Sequence, residues 1–408
     1  MASLERPSRE PSIDLVRGAD VLLMLFVNEM AGVRGTPAFL RHVPPDADGM
    51  TITDVVFPAF LFITGMALPF ALGGRLRRGD RGVWRHVLGR TLALLVMGVL
   101  MVNAEHAGRG PIPSALWNVL MTLAVVLLWV APADDATRRG QPWLRVAGAA
   151  LLAAVVLLYR SPDGAGLIQL RPHWWGILGL IGWSYLVAAS LYVLARDRPA
   201  VLLGGVALLY CVTLADQAGQ AGWLVALPPS FRFGRVVAPH AAIALSGTVL
   251  GVMLLGHRRQ GAPPRRLIWE GLGYAAALGA AGLLLHTLHG RHAAFWISKV
   301  LATPPWGLLS SAATAAFWVG VFTLTDVAGW RRWPKVLFVA GENALVCYLM
   351  APFLLSLFDL GATLVAGTNL YEKLGESAGI GFVRSAVFAW VVVRLCGWLR
   401  NRGLRMQI

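Results

Sequence analysis

The sequence predicts an all-α fold, a polytopic integral membrane helical bundle of about 12 transmembrane helices (10–12), and three observations predict it. Hydrophobic residues make up 57% of the 408-residue chain and charged residues only 14%, against about 25% charged in soluble proteins. Mean hydropathy is +0.62. Apolar runs of spanning length recur from end to end, separated by short arginine-rich links. Lipid offers no water to satisfy backbone groups, so such runs must close their own hydrogen bonds as helices; barrel strands would be shorter and alternate in polarity.

Twelve runs fit a span: 19–33, 54–73, 91–105, 115–131, 145–160, 174–195, 199–216, 239–256, 271–288, 306–327, 336–360 and 382–399. Stretches such as GGVALL and AAALGAAGLLL suit close helix packing. Charge then sets direction. The formal net charge is +15, and with the N-terminus inside most Lys and Arg residues fall on the cytoplasmic side, as the positive-inside rule requires. Both termini are then cytoplasmic, and the basicity reports topology rather than a nucleic-acid partner. Residues 1–13 are polar and the first apolar run is followed by further spans, so no cleavable signal peptide is expected.

No linker rich in Pro, Gly or Ser sets off a soluble domain. Residues 1–408 are therefore expected to form a single transmembrane domain: a cytoplasmic segment 1–18, motif-bearing helices and loop 19–114, a helix pair 115–160, and the remaining bundle 161–408. Cys211, Cys347 and Cys396 fall inside predicted spans without disulfide or metal spacing and read as packing residues.

Polar residues near hydrocarbon are costly, which makes them candidates for function. Asp20 and Asn28 share one face of the first run, since residues four apart stack along a helix. Asn28 suits a substrate carbonyl or hydroxyl, or an interhelical hydrogen bond worth about 0.6–2 kcal/mol. His42 follows in a loop with Pro44, Pro45, Asp46 and Asp48; it is either a general base or a solvated histidine. Asp54 opens the next run, as a helix cap or as the group that orients His42. Asp20, Lys299, Trp174 and Trp306 are candidate substrate contacts, although Trp at a membrane edge also serves as an interfacial anchor. Arg75, Arg77, Arg78, Arg258 and Arg259 lie on the inner side, where they suit an anionic cofactor. His286, His289 and His292 repeat every three residues, but no carboxylate is near in sequence and no metal is expected. Glu342 and Asn343 read as a polar contact or a cap. The chain holds no Walker loop, GxSxG elbow or zinc-protease motif.

The string from Ser12 to Gly65, SIDLVRGADVLLMLFVNEMAG … H … DGMTITDVVFPAFLFITG, resembles the catalytic region of the lysosomal heparan-α-glucosaminide N-acetyltransferase family. It is most similar to that family's bacterial relatives of the DUF5009 type. Further matches are Trp174–Tyr185, His240–Leu250, Lys299–Trp306 and Ala340–Tyr348, in the expected order. The loop between Asn28 and His42 is slightly longer than in the lysosomal enzyme, and the pair at 115–160 is inserted.

The resemblance implies a membrane-bound acyltransferase. It would carry an acetyl group from cytoplasmic acetyl-CoA to an amino sugar or hydroxyl of an extracytoplasmic glycan. Motif matches assign Asn28, His42 and Asp54 to catalysis, with His42 as base or acetyl carrier and Phe57 and Pro58 completing the acid-x-x-Phe-Pro element. The expected surroundings are a bacterial inner membrane, its lipids and a homodimer partner. A transporter or flippase of a glycan or lipid-linked envelope intermediate is the alternative from another class, needing buried polar groups but no acetyl-CoA.

Overall fold

The computed structural model describes residues 10–80, 82–106, 110–131, 142–162, 164, 166–222, 231–330, 332–365, 367–402 and 405–406. Regular structure among the described residues is helical apart from one two-residue antiparallel pairing, Val130–Ala131 with Arg405–Met406. Nine helices among the described residues are long and apolar enough to cross a membrane. They are α2 (Ile52–Arg77), α3 (Val83–Glu105), α6 (Ile177–Ala195), α7 (Pro199–Gln217), α8 (Ala238–Gln260), α9 (Pro264–His286), α10 (Pro304–Phe322), α12 (Ala344–Val365) and α14 (Ala378–Asn401). Proline begins α7, α9 and α10, where the missing N–H costs nothing. Gly261, at φ +60°, ends α8 in the left-handed conformation that glycine adopts most readily.

The other three expected spans have different fates. Helix α1 (Pro11–Met30) starts earlier than the run 19–33 and takes in Asp14, Arg17, Asp20 and Glu29. Helices α4 (Ser114–Trp129) and α5 (Pro142–Leu158) have 16 and 17 residues, about 24–26 Å of rise against a hydrocarbon core of about 30 Å. The expected span 336–360 is interrupted at Asn343, between α11 (Lys335–Glu342) and α12, where the Asn343 amide donates to the Val339 carbonyl at 2.8 Å. Such a local bond competes with the helix ladder. A one-turn helix α13 (Leu370–Lys373) precedes α14.

The chain groups into two compact units. In the first (1–20, 38–92 and 180–333) the central pairing is α2 against α8. Gly65 faces the Ala244 carbonyl, Gly247 the Phe62 carbonyl and Gly251 the Met66 carbonyl; a Cβ at any of the three would strike backbone. Thr248 Oγ1 lies 3.1 Å from the Gly65 carbonyl and 3.0 Å from that of Ala244, tying the two helices where they meet. Gly247 and Gly251 form the small-xxx-small pattern that lets backbones approach in lipid.

In the second unit (21–37, 93–179 and 334–408) α4 packs on α5, and α12 on α4 and α14. The Trp117 indole donates to the Val155 carbonyl at 2.9 Å. Asn103 and Arg171 exchange two hydrogen bonds, amide to carbonyl at 2.8 Å and backbone N–H to Oδ1 at 3.0 Å. The Tyr371 hydroxyl donates to the Glu29 carboxylate, and Arg384 donates to the Glu29 carbonyl at 3.0 Å. Cys347 and Cys396 are buried, whereas Cys211 is exposed.

Candidate functional site

The first unit brings His42, Asp54, Lys299 and Trp306 together at the mouth of α2. Thr51 is extended (φ −107°, ψ 178°) and caps the helix. Asp54, three residues on, donates its backbone N–H to the Thr51 carbonyl at 3.1 Å. Its Oδ2 accepts the backbone N–H of Thr51 at 3.0 Å and of Val43 at 3.2 Å. The Thr51 hydroxyl approaches Arg41 O at 2.7 Å, closer than its 3.3 Å to Asp54. Asp54 Oδ1 faces His42 Nδ1 at 2.7 Å. A carboxylate surrounded by N–H donors at the positive end of a helix is well placed to remain charged.

His42 is 46% exposed while Asp54 is 1% exposed. The carboxylate accepts only, so Nδ1 carries the proton and Nε2 keeps a lone pair. Lys299 Nζ lies 3.2 Å from each ring nitrogen. Equidistant from the two ring nitrogens, Nζ sits against the imidazole rather than on the in-plane lone pair of Nε2, which stays free. Burial holds the Lys299 amine below its ordinary pKa, an effect that the Asp54 charge partly offsets.

The two loops that carry His42 and Lys299 are clipped together. Asp48 Oδ1 accepts the Ile297 N–H at 2.8 Å, and the Gly49 N–H donates to the Ile297 carbonyl at 2.9 Å. Just beyond Lys299 the chain turns through Ala302 at φ +49°, stabilised by Ser298 N–H to Thr303 Oγ1 at 3.1 Å. Trp306 is fully buried, and its indole donates to the Asp54 carbonyl at 3.0 Å. It supports the site from behind rather than anchoring at a membrane edge. His240 packs 5.8 Å from the Trp306 ring and 5.6 Å from that of Phe57, with Nδ1 2.5 Å from Val236 O. Sequence reasoning did not assign His240 or Thr51 to the site, although the Thr-x-x-Asp spacing of a capped helix was there to be read.

The remaining sequence-derived candidates have other surroundings. Asn28 is exposed on α1 and belongs to the second unit, as does Trp174. Asp20 is buried in α1, and its Oδ2 has no hydrogen-bond partner among the described residues. Of the inner arginines, Arg75 pairs with Asp80 at 3.4 Å, Arg258 with Glu10 at 2.8 Å and Asp326 at 3.0 Å, and Arg259 with Asp197 at 2.6 Å. Arg78 is exposed just past α2. Arg77 and Arg259 converge, with the Tyr192 hydroxyl, on the space beside Gly73. Asp197 also accepts from that hydroxyl at 3.0 Å. Burial would raise the Asp197 pKa, but the Arg259 and Tyr192 donors outweigh it and hold the value below the ordinary range.

The histidine run does have a carboxylate near it in space: Asp48 lies 3.8 Å from His286. The rings of His286 and His289 stack at 4.9 Å, and each Nδ1 faces a backbone carbonyl. His292 Nδ1 accepts the Ala294 N–H at 3.0 Å. Among the described residues no group of three or more His, Cys, Asp or Glu is placed to hold a metal.

Fold and site together define a polytopic helical membrane protein with a carboxylate-held imidazole at the end of one apolar helix. Residues 9–222 match DUF5009, a domain of unknown function, and the chain belongs to that family. It is also 30% identical over 142 residues to heparan-alpha-glucosaminide N-acetyltransferase of Homo sapiens, a stretch covering 32% of this chain and 20% of that protein. The protein of the same name from Mus musculus is 31% identical over 128 residues, covering 28% of this chain and 18% of its own length. The match thus spans about a fifth of these curated relatives.

Proposed function

We propose that this protein is a membrane-bound acetyltransferase that takes acetyl-CoA as donor and acetylates an amino sugar or hydroxyl of a glycan. The observation that carries the reading is the His42–Asp54 pair, a reachable imidazole whose tautomer is fixed by a buried carboxylate. Likeness to acetyltransferases of known name supports it. His42 Nε2 takes the proton of the acceptor as its nitrogen or oxygen attacks the thioester carbonyl, then returns it to the leaving thiolate. Alternatively Nε2 carries the acetyl group itself before passing it on.

Charge bias supports cytoplasmic termini, about twelve membrane crossings when α1, α4 and α5 are counted, and His42 on the far side of a bacterial inner membrane. The rise along α2 from Asp54 to Arg77 is about 35 Å. The pantetheine arm of CoA is about as long as four or five extended residues, roughly 15 Å. Phosphates resting on Arg77 and Arg259 would therefore leave the thioester far short of His42. These arginines act in this reading as a gateway, and the nucleotide moves inward past them before transfer.

Purified protein in detergent, given labelled acetyl-CoA and a panel of amino sugars and glycans, tests the proposal. CoA release that is lost in a folded His42→Ala variant is the expected result. Asn28→Ala, Trp174→Ala and Asp20→Asn test the other assigned roles in the same assay. Absence of CoA release with every acceptor, together with movement of a lipid-linked glycan across vesicles, would establish the transporter alternative instead. Cross-linking in the membrane tests the homodimer.

A further inference from the structure

The chain has 36 Lys and Arg residues, of which only Lys299, Lys335 and Lys373 are lysine. One of the three lies against the candidate base. Arginine would supply the same charge there, but it does not give up its proton in a protein, whereas a lysine shifted by burial does. Lys299 Nζ stands 3.2 Å from Nε2 of His42, in a loop fixed by the Asp48–Ile297 clip. An acetyl group delivered to Nε2, or held beside it as a thioester, would therefore lie within reach of a second nitrogen nucleophile. Burial lowers the Lys299 pKa, which enlarges the share of free amine at neutral pH.

We propose that Lys299 is a self-acetylation site: when acetyl-CoA loads the centre and no acceptor is bound, the acetyl group is captured by Nζ. The inference rests on the acetyltransferase reading above. The Nζ lone pair attacks the acetyl carbonyl carbon and forms a C–N bond, and the C–S bond to CoA breaks. The proton lost by Nζ passes to His42 Nε2 and then to the thiolate, giving free CoA thiol. If His42 carries the acetyl first, the CoA thiolate has already left; the bond that then breaks is the one from the acetyl carbon to Nε2, and the Nζ proton passes through the regenerated imidazole to that thiolate, giving the thiol. Other groups near Asp54 are poorer nucleophiles; the Thr51 hydroxyl is engaged with the Arg41 carbonyl.

Acetylation replaces an ammonium by a neutral, bulkier amide. The group beside the imidazole then changes from a charged amine to an amide standing where the acceptor must approach. Self-acetylation thus closes the centre when donor is abundant and acceptor scarce.

The test is incubation of the full chain in detergent with isotope-labelled acetyl-CoA and no acceptor, followed by peptide mass spectrometry. Label is expected on Lys299, increasing as pH rises and the share of free amine grows. Its rate should exceed that in His42→Ala and His42→Gln by about a hundredfold, the scale of a general-base contribution. Lys335 and Lys373, both exposed, should show only slow label independent of His42. Unlabelled Lys299 in a preparation that releases CoA with an acceptor overturns the inference and leaves the acetyltransferase reading standing. Unlabelled Lys299 without CoA release under any condition overturns both. Label at Lys299 that is equally fast in both folded His42 variants marks simple chemical acetylation and overturns the inference as well.

Discussion

The Asp54 carboxylate meets His42 Nδ1 at 2.7 Å while burying itself almost completely, so the exposed imidazole is held by an inaccessible anchor. This division of labour leads to a first prediction. In Asp54→Asn the side-chain oxygen still caps α2, but the amide nitrogen offered to His42 favours the opposite tautomer, with the proton on Nε2. CoA release should fall by about two to four orders of magnitude, with thermal unfolding nearly unchanged. Asp54→Ala should lose the activity and about 1 kcal/mol of helix capping as well. Wild-type turnover in Asp54→Asn would remove Asp54 from the mechanism.

Sidedness is the second prediction. A chain lacking Cys211, Cys347 and Cys396 but carrying His42→Cys should react with a membrane-impermeant maleimide added to intact cells, because the imidazole edge is half-exposed. A cysteine at Arg78, exposed beyond the other end of α2, should react only after the cells are opened. The reverse pattern would invert the topology and place donor and acceptor on the wrong sides.

The α2–α8 crossing gives a third prediction. Gly65 and Gly247 each face a backbone carbonyl of the opposing helix, which cannot move aside as a flexible side chain would. Gly247→Leu should therefore cost at least the ~1–3 kcal/mol typical of overpacking and lower the unfolding temperature in detergent. Gly204, with open space at its Cβ position, is the comparison: Gly204→Ala should leave stability unchanged or raise it. A Gly247→Leu protein as stable as the parent would contradict the packing described for the first unit.

Much of this architecture can be read from the sequence. The apolar periodicity and the lipid's demand for internal hydrogen bonds specify helices, and the Asp54 position at a helix start already suggests both capping and orientation of His42. What periodicity cannot supply is the partner of each polar face. Lys299 reaches His42 because Asp48 and Gly49 clip one loop to Ile297 of the other, a pairing with no sequence signature. Trp306 looks like an edge tryptophan until its indole is seen to hold the Asp54 carbonyl. The short reach of α4 and α5, and the break at Asn343, depend on where hydrogen bonding stops rather than on where hydropathy falls.

The inner end of α2 supplies the last prediction. Arg259 and Tyr192 outweigh burial at Asp197, so its folded pKa lies below that of the unfolded chain. The stability this carboxylate contributes is complete above the ordinary carboxylate range of about pH 4, and it is lost as pH falls through the lower folded value. Asp197→Asn should flatten that acid limb. The effect will be small, since the Arg259 and Asp197 side chains are 37% and 39% exposed and solvent screens the pair. The same substitution frees Arg259 beside Arg77. CoA should then bind about two- to fivefold more tightly at neutral pH, the equivalent of an exposed pair worth ~0.5–1 kcal/mol, whereas Arg259→Ala should weaken it. Direct binding of radiolabelled CoA measures both, and unchanged affinity in the two variants would show that the nucleotide does not pass this rim.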